Sequence, residues 1–399
     1  MIEPKDYDRL VLLPADELAD RIRRIRAAMA EGDKPLDAIL ITDNAEKYYV
    51  TGRVFAGYIF IPAKGEPIFF VCRPVELKGD GVVYIRKPED IPASIGLGAM
   101  QRVGMGLSVT PYSTIKRLAA LFPGSELADA TPLMRRVRSR KTDYELQKLR
   151  VSGSKHMHVY SLIPGLFRAG MSDIELQVEI ERASRLEGCL GQFRISGDSM
   201  ELYMGNVLVG ENADAPSPYD FAMGGAGMDP SLPVGANGTL IRRDTPVMVD
   251  MNGNFDGYMT DMTRVFCSGE LDQKAVKAHR LSVDIHHELV SMMRPGTPAK
   301  ALCERAAEMV EQAGMTPYYM GHRQHAKFIG HGVGIEINEL PVIAPRSRDI
   351  LEEGNVIALE PKFVIPHVGA VGIENTYAIH ADKVENLTPY PEEIQPLYV

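Results

Sequence analysis

The sequence predicts an α+β protein built in two parts: a smaller α/β domain over residues 1–138 and a larger α+β domain over residues 139–399. Three observations predict this. A chain of 399 residues is too long for one ordinary hydrophobic core. Helix and strand signals alternate in the first third. In the remainder, long capped helices sit among strands of hairpin type.

In the first part, ELADRIRRIRAAMAEG reads as an amphipathic helix ending at Gly32. LDAILIT, GYIFIPA and PIFFVCR read as strands, the last two joined by a turn at Lys64-Gly65. YSTIKRLAALFPG reads as a helix stopped by Pro123-Gly124. The boundary falls near residues 135–142. Thr142 with Glu145 forms a capping-box pattern that opens the next helix, and Ser172 with Glu175 repeats it. A long helix runs from Asp272 to Arg294 and is closed by Pro295-Gly296. Thr297-Pro298 opens another that runs to Gly314.

Composition narrows the function classes. The net charge is −9 and no long Lys/Arg run occurs, so a nucleic-acid partner is not expected; the most basic stretch, RRVRSRK, reads as the start of a linker helix. No apolar segment is long enough to span a bilayer and no apolar leader opens the chain, so no membrane association is expected. Cys72, Cys189, Cys267 and Cys303 are widely spaced and read as reduced thiols, which fits a cytoplasmic enzyme.

Five residues carry the chemistry: Asp250, Asp261, His331, Glu360 and Glu374. They lie in VMVDMNG, GYMTDMTR, IGHGVGIEINE, VIALEPKF and AVGIENTY. A carboxylate in a Val/Ile-rich strand is costly to desolvate unless its charge is compensated. Two divalent ions would balance four carboxylates, so the set reads as a two-metal site. Oxygen-rich ligation with one imidazole suits manganese, cobalt, zinc or iron. The segment NGNFDG between two strand-like runs reads as a hairpin turn. Centred between Phe255 and Asp256, it pairs Asp250 directly with Asp261, with Cβ atoms about 5 Å apart.

Order, spacing and context of these residues resemble the pita-bread metallopeptidase family, which includes methionine aminopeptidase, prolidase and aminopeptidase P. The matching pattern is Asp250, then Asp261 in GYMTDMTR, His331 in GHGVG, Glu360-Pro361, and Glu374. DNAEKYYVTGR and the stretch from Arg135 to Arg150 resemble the smaller creatinase-type N-terminal domain of prolidases and aminopeptidase P. The resemblance implies a C-terminal pita-bread (creatinase/aminopeptidase-like) domain preceded by a smaller α/β domain, and a homodimer. It also implies two divalent ions, manganese first among them, held by the five residues, with Glu360 as general base. Metal-assisted attack of water on an amide carbon is the implied reaction.

The departures are specific. Family peptidases usually carry a histidine in an LPH-like segment; here SLPVGANG places Val234 there, and no histidine occurs between residues 159 and 278. A second histidine usually follows the GHG motif; here that position is Asn338, which can donate a hydrogen bond but cannot exchange a proton near neutral pH. An arginine often found two residues before the last Glu is Gly372. His322, His325 and His367 are candidates to replace the missing proton shuttle.

Other features read blandly. Gly224, Gly225 and Gly227 lack the Gly-Lys-Ser/Thr of a phosphate loop and are expected to shape a pocket wall. His286 and His287 read as helix-face residues, and His156 and His158 point in different directions. Tyr258 is expected beside Asp261. Three functions compete: an Xaa-Pro exopeptidase with a modified pocket, a metal-dependent amide hydrolase or lyase acting on a small non-peptide metabolite, and a non-catalytic binding module.

Overall fold

The computed structural model describes residues 6–95, 100–197, 204–221 and 223–398. The chain divides into two compact units, Met1–Arg138 and Ser139–Val399.

The first unit is a six-stranded mixed sheet. Its spatial order is Val82–Tyr84, Ile68–Arg73, Ala56–Pro62, Ala38–Ile41, Arg102–Met105 and Glu126–Asp129. The strand AILI is buried along its whole length, as a central strand covered on both faces must be. It pairs antiparallel with Ala56–Pro62 and parallel with Arg102–Met105. Leu40, Phe60, Phe70 and Val103 pack with Leu118 and Phe122, from the helix Tyr112–Ala119 and the segment after it.

Among the described residues, the second unit combines three sheets with four long helices. A four-stranded sheet is ordered Gln395–Pro396, Met259–Cys267, Val247–Asn254 and Gly205–Val209. A five-stranded sheet is ordered Glu339–Ile343, Gly330–Gly332, Val356–Leu359, Asn375–Ile379 and Val384–Asn386. Lys362–Ile365 and Gly369–Gly372 form a separate two-stranded hairpin. Helices Gln273–Met292 and Ala299–Gln312 bury Ile285, Leu289, Leu302 and Ala306 against Val364, Val371 and Ile357. Helices Asp143–Leu166 and Asp173–Leu186 bury Tyr160, Ile163, Leu176 and Ile180 against Val249 and Met262. Both begin with the capping boxes read from sequence: Thr142 accepts from the Glu145 N–H and Ser172 from the Glu175 N–H, while each glutamate side chain accepts in return.

The hairpin that carries Asp250 and Asp261 corrects the expected register. Asp250 lies opposite Thr263 and Asp261 opposite Asn252. The turn therefore centres between Asp256 and Gly257, one residue later than expected. Gly257 takes φ 91°, and its N–H donates to Asn254 Oδ1 at 3.0 Å. Phe255 and Tyr258 are both buried, which places them at the strand ends and leaves Asp256-Gly257 as the tip. A shift of this size keeps both aspartates on one face, as diagonal rather than direct neighbours. The Tyr258 hydroxyl donates to Glu145 Oε1 at 3.1 Å.

Candidate metal centre

Glu360 and Glu374 converge because two strands change sheets at the same level. Leu359 pairs with Asn375 in the five-stranded sheet, and Lys362 pairs with Gly372 in the hairpin. The glutamates sit in the breaks between these pairings. The backbone of Glu374 makes a reciprocal antiparallel bridge with Thr263, at 3.2 and 3.3 Å, which ties the junction to the strand of Asp261. Arg264, on the opposite face of that strand, is fully buried and donates to the Glu374 carbonyl and to Asn375 Oδ1 at 2.8 and 2.7 Å. His331 enters from the strand Gly330–Gly332, paired opposite Ala358.

The five residues read from sequence are thus brought together. Asp261, His331 and Glu374 form one group of ligand atoms and Asp250, Glu360 and Glu374 a second, with the atoms of each group within 4.8 Å of one another. His331 Nε2 lies 3.4 Å from Glu360 Oε1 and 4.0 Å from Asp261 Oδ2. Its Nδ1 lies 3.1 Å from the Gly332 carbonyl, an acceptor only. Nδ1 is therefore the donor, and Nε2 is the nitrogen left for a metal or a second proton.

The sequence reading missed the residue at the centre. The Nζ of Lys362 donates to Asp250 Oδ2 at 2.8 Å, Glu360 Oε2 at 2.8 Å and Glu374 Oε2 at 2.9 Å. Its side chain is wholly removed from solvent. The available signal was the spacing Glu360-Pro361-Lys362: in an extended chain, residues two apart share a face. Gly372, where the resemblance expects arginine, lies directly opposite Lys362. It takes φ 134°, and a Cβ there would stand 3.0 Å from the Lys362 Cα and 3.0 Å from the Pro361 carbonyl. Thr263 and Thr376 were also missed. Thr263 Oγ1 donates to Glu374 Oε2 at 2.8 Å, and Thr376 Oγ1 donates to the Asp261 carbonyl while accepting from its N–H.

Burial and mutual repulsion split the acids. Burial, with the Asp250 charge adding to it, pushes Asp261 up to about 7. Burial also drives Glu374 well above the usual carboxylate range, with Asp261 and Glu360 adding to it. Burial acts on Glu360 in the same direction, but Lys362 and His331 outweigh it and hold the carboxyl at about 2. Burial opposes the charge on Lys362, and Asp250, Glu360 and Glu374 more than restore it. His331 is raised in the same way: burial opposes its charge, and Glu360 and Asp261 outweigh that.

The donor set fits one divalent ion. Asp261, His331 and Glu374 supply two carboxylates and an imidazole, and Glu374 Oε1 is buried with no hydrogen-bond partner. A buried orphan acceptor is costly, and a cation satisfies it. The second group does not fit an ion, because its three acids already hold the Lys362 ammonium.

The remaining candidates lie outside this cluster of contacts. Asn338 pairs with Ser196: Oδ1 accepts from the Ser196 N–H at 2.8 Å and Nδ2 donates to the Ser196 carbonyl at 2.6 Å. Val234 is buried, and its neighbour Gly235 packs on Asn206, which pairs with Asp250. His322 Nδ1 meets Asp214 Oδ2 at 2.9 Å, and His325 Nδ1 meets the Tyr319 carbonyl at 2.8 Å. Both line a small pocket with Asp214, Ser217, Gly224 and Val364. His367 is exposed and pairs with Glu211. His286 is buried and bonded to the Ile373 carbonyl at 3.0 Å, so it steadies the residue before Glu374. Gly225 and Gly227 press against the backbone of residues 232–235, where a Cβ would stand 2.4 Å or less from a carbonyl.

The sequence profile of metallopeptidase family M24 matches residues 147–381, more than half of the chain. The chain belongs to this family. A Creatinase/Prolidase N-terminal domain profile matches residues 21–140 of this M24 chain. Similar proteins include the Xaa-Pro dipeptidase of Pyrococcus horikoshii, 23% identical over 95% of this chain and 99% of that protein. The uncharacterised peptidase YqhT of Bacillus subtilis is 25% identical over 91% of this chain and 96% of its own length. Among solved structures, the Xaa-Pro dipeptidase from Bacillus anthracis superposes with a TM-score of 0.79 at 23% identity, covering 95% of this chain and all of that one. At that identity the superposition shows the fold: a pita-bread M24 domain with a creatinase-type N-terminal domain. Membership of M24 makes the chain a metallohydrolase by family. Among the described residues, no helix is long and apolar enough to cross a membrane.

Proposed function

We propose that this M24 chain is a metal-dependent hydrolase of Xaa-Pro peptidase type, of the aminopeptidase P or prolidase kind, with a pocket altered at Val234 and Asn338. The observation that carries this reading is the convergence of Asp261, His331 and Glu374, with one Glu374 oxygen unsatisfied. These three residues would hold the ion, with manganese the first to test and cobalt, zinc or iron as alternatives. A divalent ion held there supplies Lewis acidity to a carbonyl oxygen and lowers the pKa of water.

The chain's own residues do the rest. Glu360 stays ionised beside His331 Nε2, where a carboxylate can accept a proton from a water in the site. Lys362 keeps that carboxylate charged and fixes its direction. Thr263 orients Glu374, and Thr376 orients the backbone of Asp261.

A second reading has specific support. Asn338 Nδ2 donates to the Ser196 carbonyl and its Oδ1 accepts from the Ser196 N–H, so the amide is engaged on the chain's own backbone, and Val234 carries no polar group. That favours a smaller, non-peptide amide as substrate. The test is hydrolysis of Xaa-Pro dipeptides and tripeptides by manganese-reconstituted protein, with Asp261→Ala as control. Turnover that vanishes in the control supports the peptidase, and the length preference separates prolidase from aminopeptidase P. Bound metal without turnover on any peptide moves the function to small metabolites.

A further inference from the structure

We propose that the Lys362 ammonium stands in for one of the two cations expected of this site, so that the chain binds one metal ion fewer than its carboxylates would allow. The inference rests on reading the cluster as a cation site. Nζ lies 2.8, 2.8 and 2.9 Å from oxygens of Asp250, Glu360 and Glu374. The same three residues form the second ligand group. An ion held by those oxygens would have to share the space of Nζ.

The charges agree with the geometry. Four carboxylates and one ammonium leave a net −3. One divalent ion brings the cluster to −1, and a second would bring it to +1 inside a buried site. Burying excess charge of either sign is costly, so on charge one ion is as acceptable as two, and the position of the Lys362 ammonium decides between them.

The lysine is also built in. The Lys362 carbonyl accepts from the Met320 N–H at 2.8 Å and the Pro361 carbonyl from Ser282 Oγ at 2.5 Å, which fixes the backbone on both sides of the side chain. Gly372 opposite leaves room for that backbone, where any side chain would press on the Lys362 Cα. Burial is complete, so the ammonium has no path to water that leaves its partners in place.

The experiment is a metal count on the full chain. Wild type, Lys362→Ala and Lys362→Ser are dialysed to equilibrium against excess manganese, and ions per chain are measured by plasma mass spectrometry. The expected result is one ion more in the variants than in wild type, with a larger manganese-induced rise in melting temperature. A variant that folds only with manganese present is counted in its presence, and the number of ions decides. Two ions in wild type overturn the proposal. Equal counts in wild type and folded variants also overturn it, as does failure of both variants to fold even with manganese. No ion in wild type and one in the variant keeps the substitution of lysine for metal and sinks the hydrolase reading instead.

Discussion

Asp261 is a carboxyl group whose proton the folded protein holds more tightly than the unfolded chain does. Its folded value near 7 lies above the ordinary 3.8. A raised acid contributes stability below its unfolded value and loses that contribution as pH rises through the folded value. Glu360 runs the other way: its contribution is present above 4.5 and is lost as pH falls through about 2. In metal-free protein, Asp261 should therefore cause stability to decline between about pH 4 and pH 7, by a few kcal/mol at most. Asp261→Asn should flatten that decline. Urea midpoints across the range check this, and an unchanged slope in the variant would mean that Asp261 is ionised when buried. Asn338 makes a different residue-scale prediction. Asn338→Ala should cost about 1 kcal/mol by removing both of its hydrogen bonds to the part-buried Ser196 backbone, and its main effect should be faster proteolysis at Arg194. Loss of turnover with no change in stability or cleavage would restore Asn338 to a substrate-contacting role.

Gly153 shows how an element's neighbours overrule its local preference. It lies inside the helix Asp143–Leu166, where glycine costs about 1 kcal/mol relative to alanine. A Cβ there would stand 2.1 Å from the Leu387 carbonyl, which is backbone and cannot swing aside. Gly153→Ala should therefore destabilise by about 1–3 kcal/mol instead of stabilising, as guanidinium unfolding would show; a raised midpoint would mean that the helix packs less closely than 2.1 Å implies. The same contrast between local and non-local control governs what could be read from sequence. The capping boxes at Thr142 and Ser172 were legible because both partners lie three residues apart. Asp250 and Asp261 were legible as acids inside apolar strands. Their register was not, because the turn centre depends on whether Phe255 is buried, which is a tertiary matter. The changeover of two strands between sheets at Glu360 and Glu374 left no local mark. Lys362 went unread because counting carboxylates asks only what charge needs cancelling, whereas the cancelling cation lay two residues along the same chain.

At the scale of the whole molecule, the candidate ligands come from segments 250–261, 331, and 360–374, far apart in sequence and all in the second unit. An ion that binds only the folded arrangement must tighten all of them together. At a concentration one hundred times its Kd, such an ion adds about 2.7 kcal/mol. For a unit of this size, that corresponds to a rise in melting temperature of roughly 5 °C. Asp261→Ala should not respond, since it removes a ligand of the one group that fits an ion among the described residues. Hydrogen exchange tests the same idea locally. Manganese should slow exchange in peptides covering 247–267, 329–333 and 356–379, which contain the strands that meet at Glu374. Peptides from residues 6–95 serve as the internal reference, because no candidate ligand group lies there among the described residues. Slowed exchange confined to the strand of His331 would mean that the ion does not reach Asp261 and Glu374, and the three-residue group would have to be abandoned as the binding site.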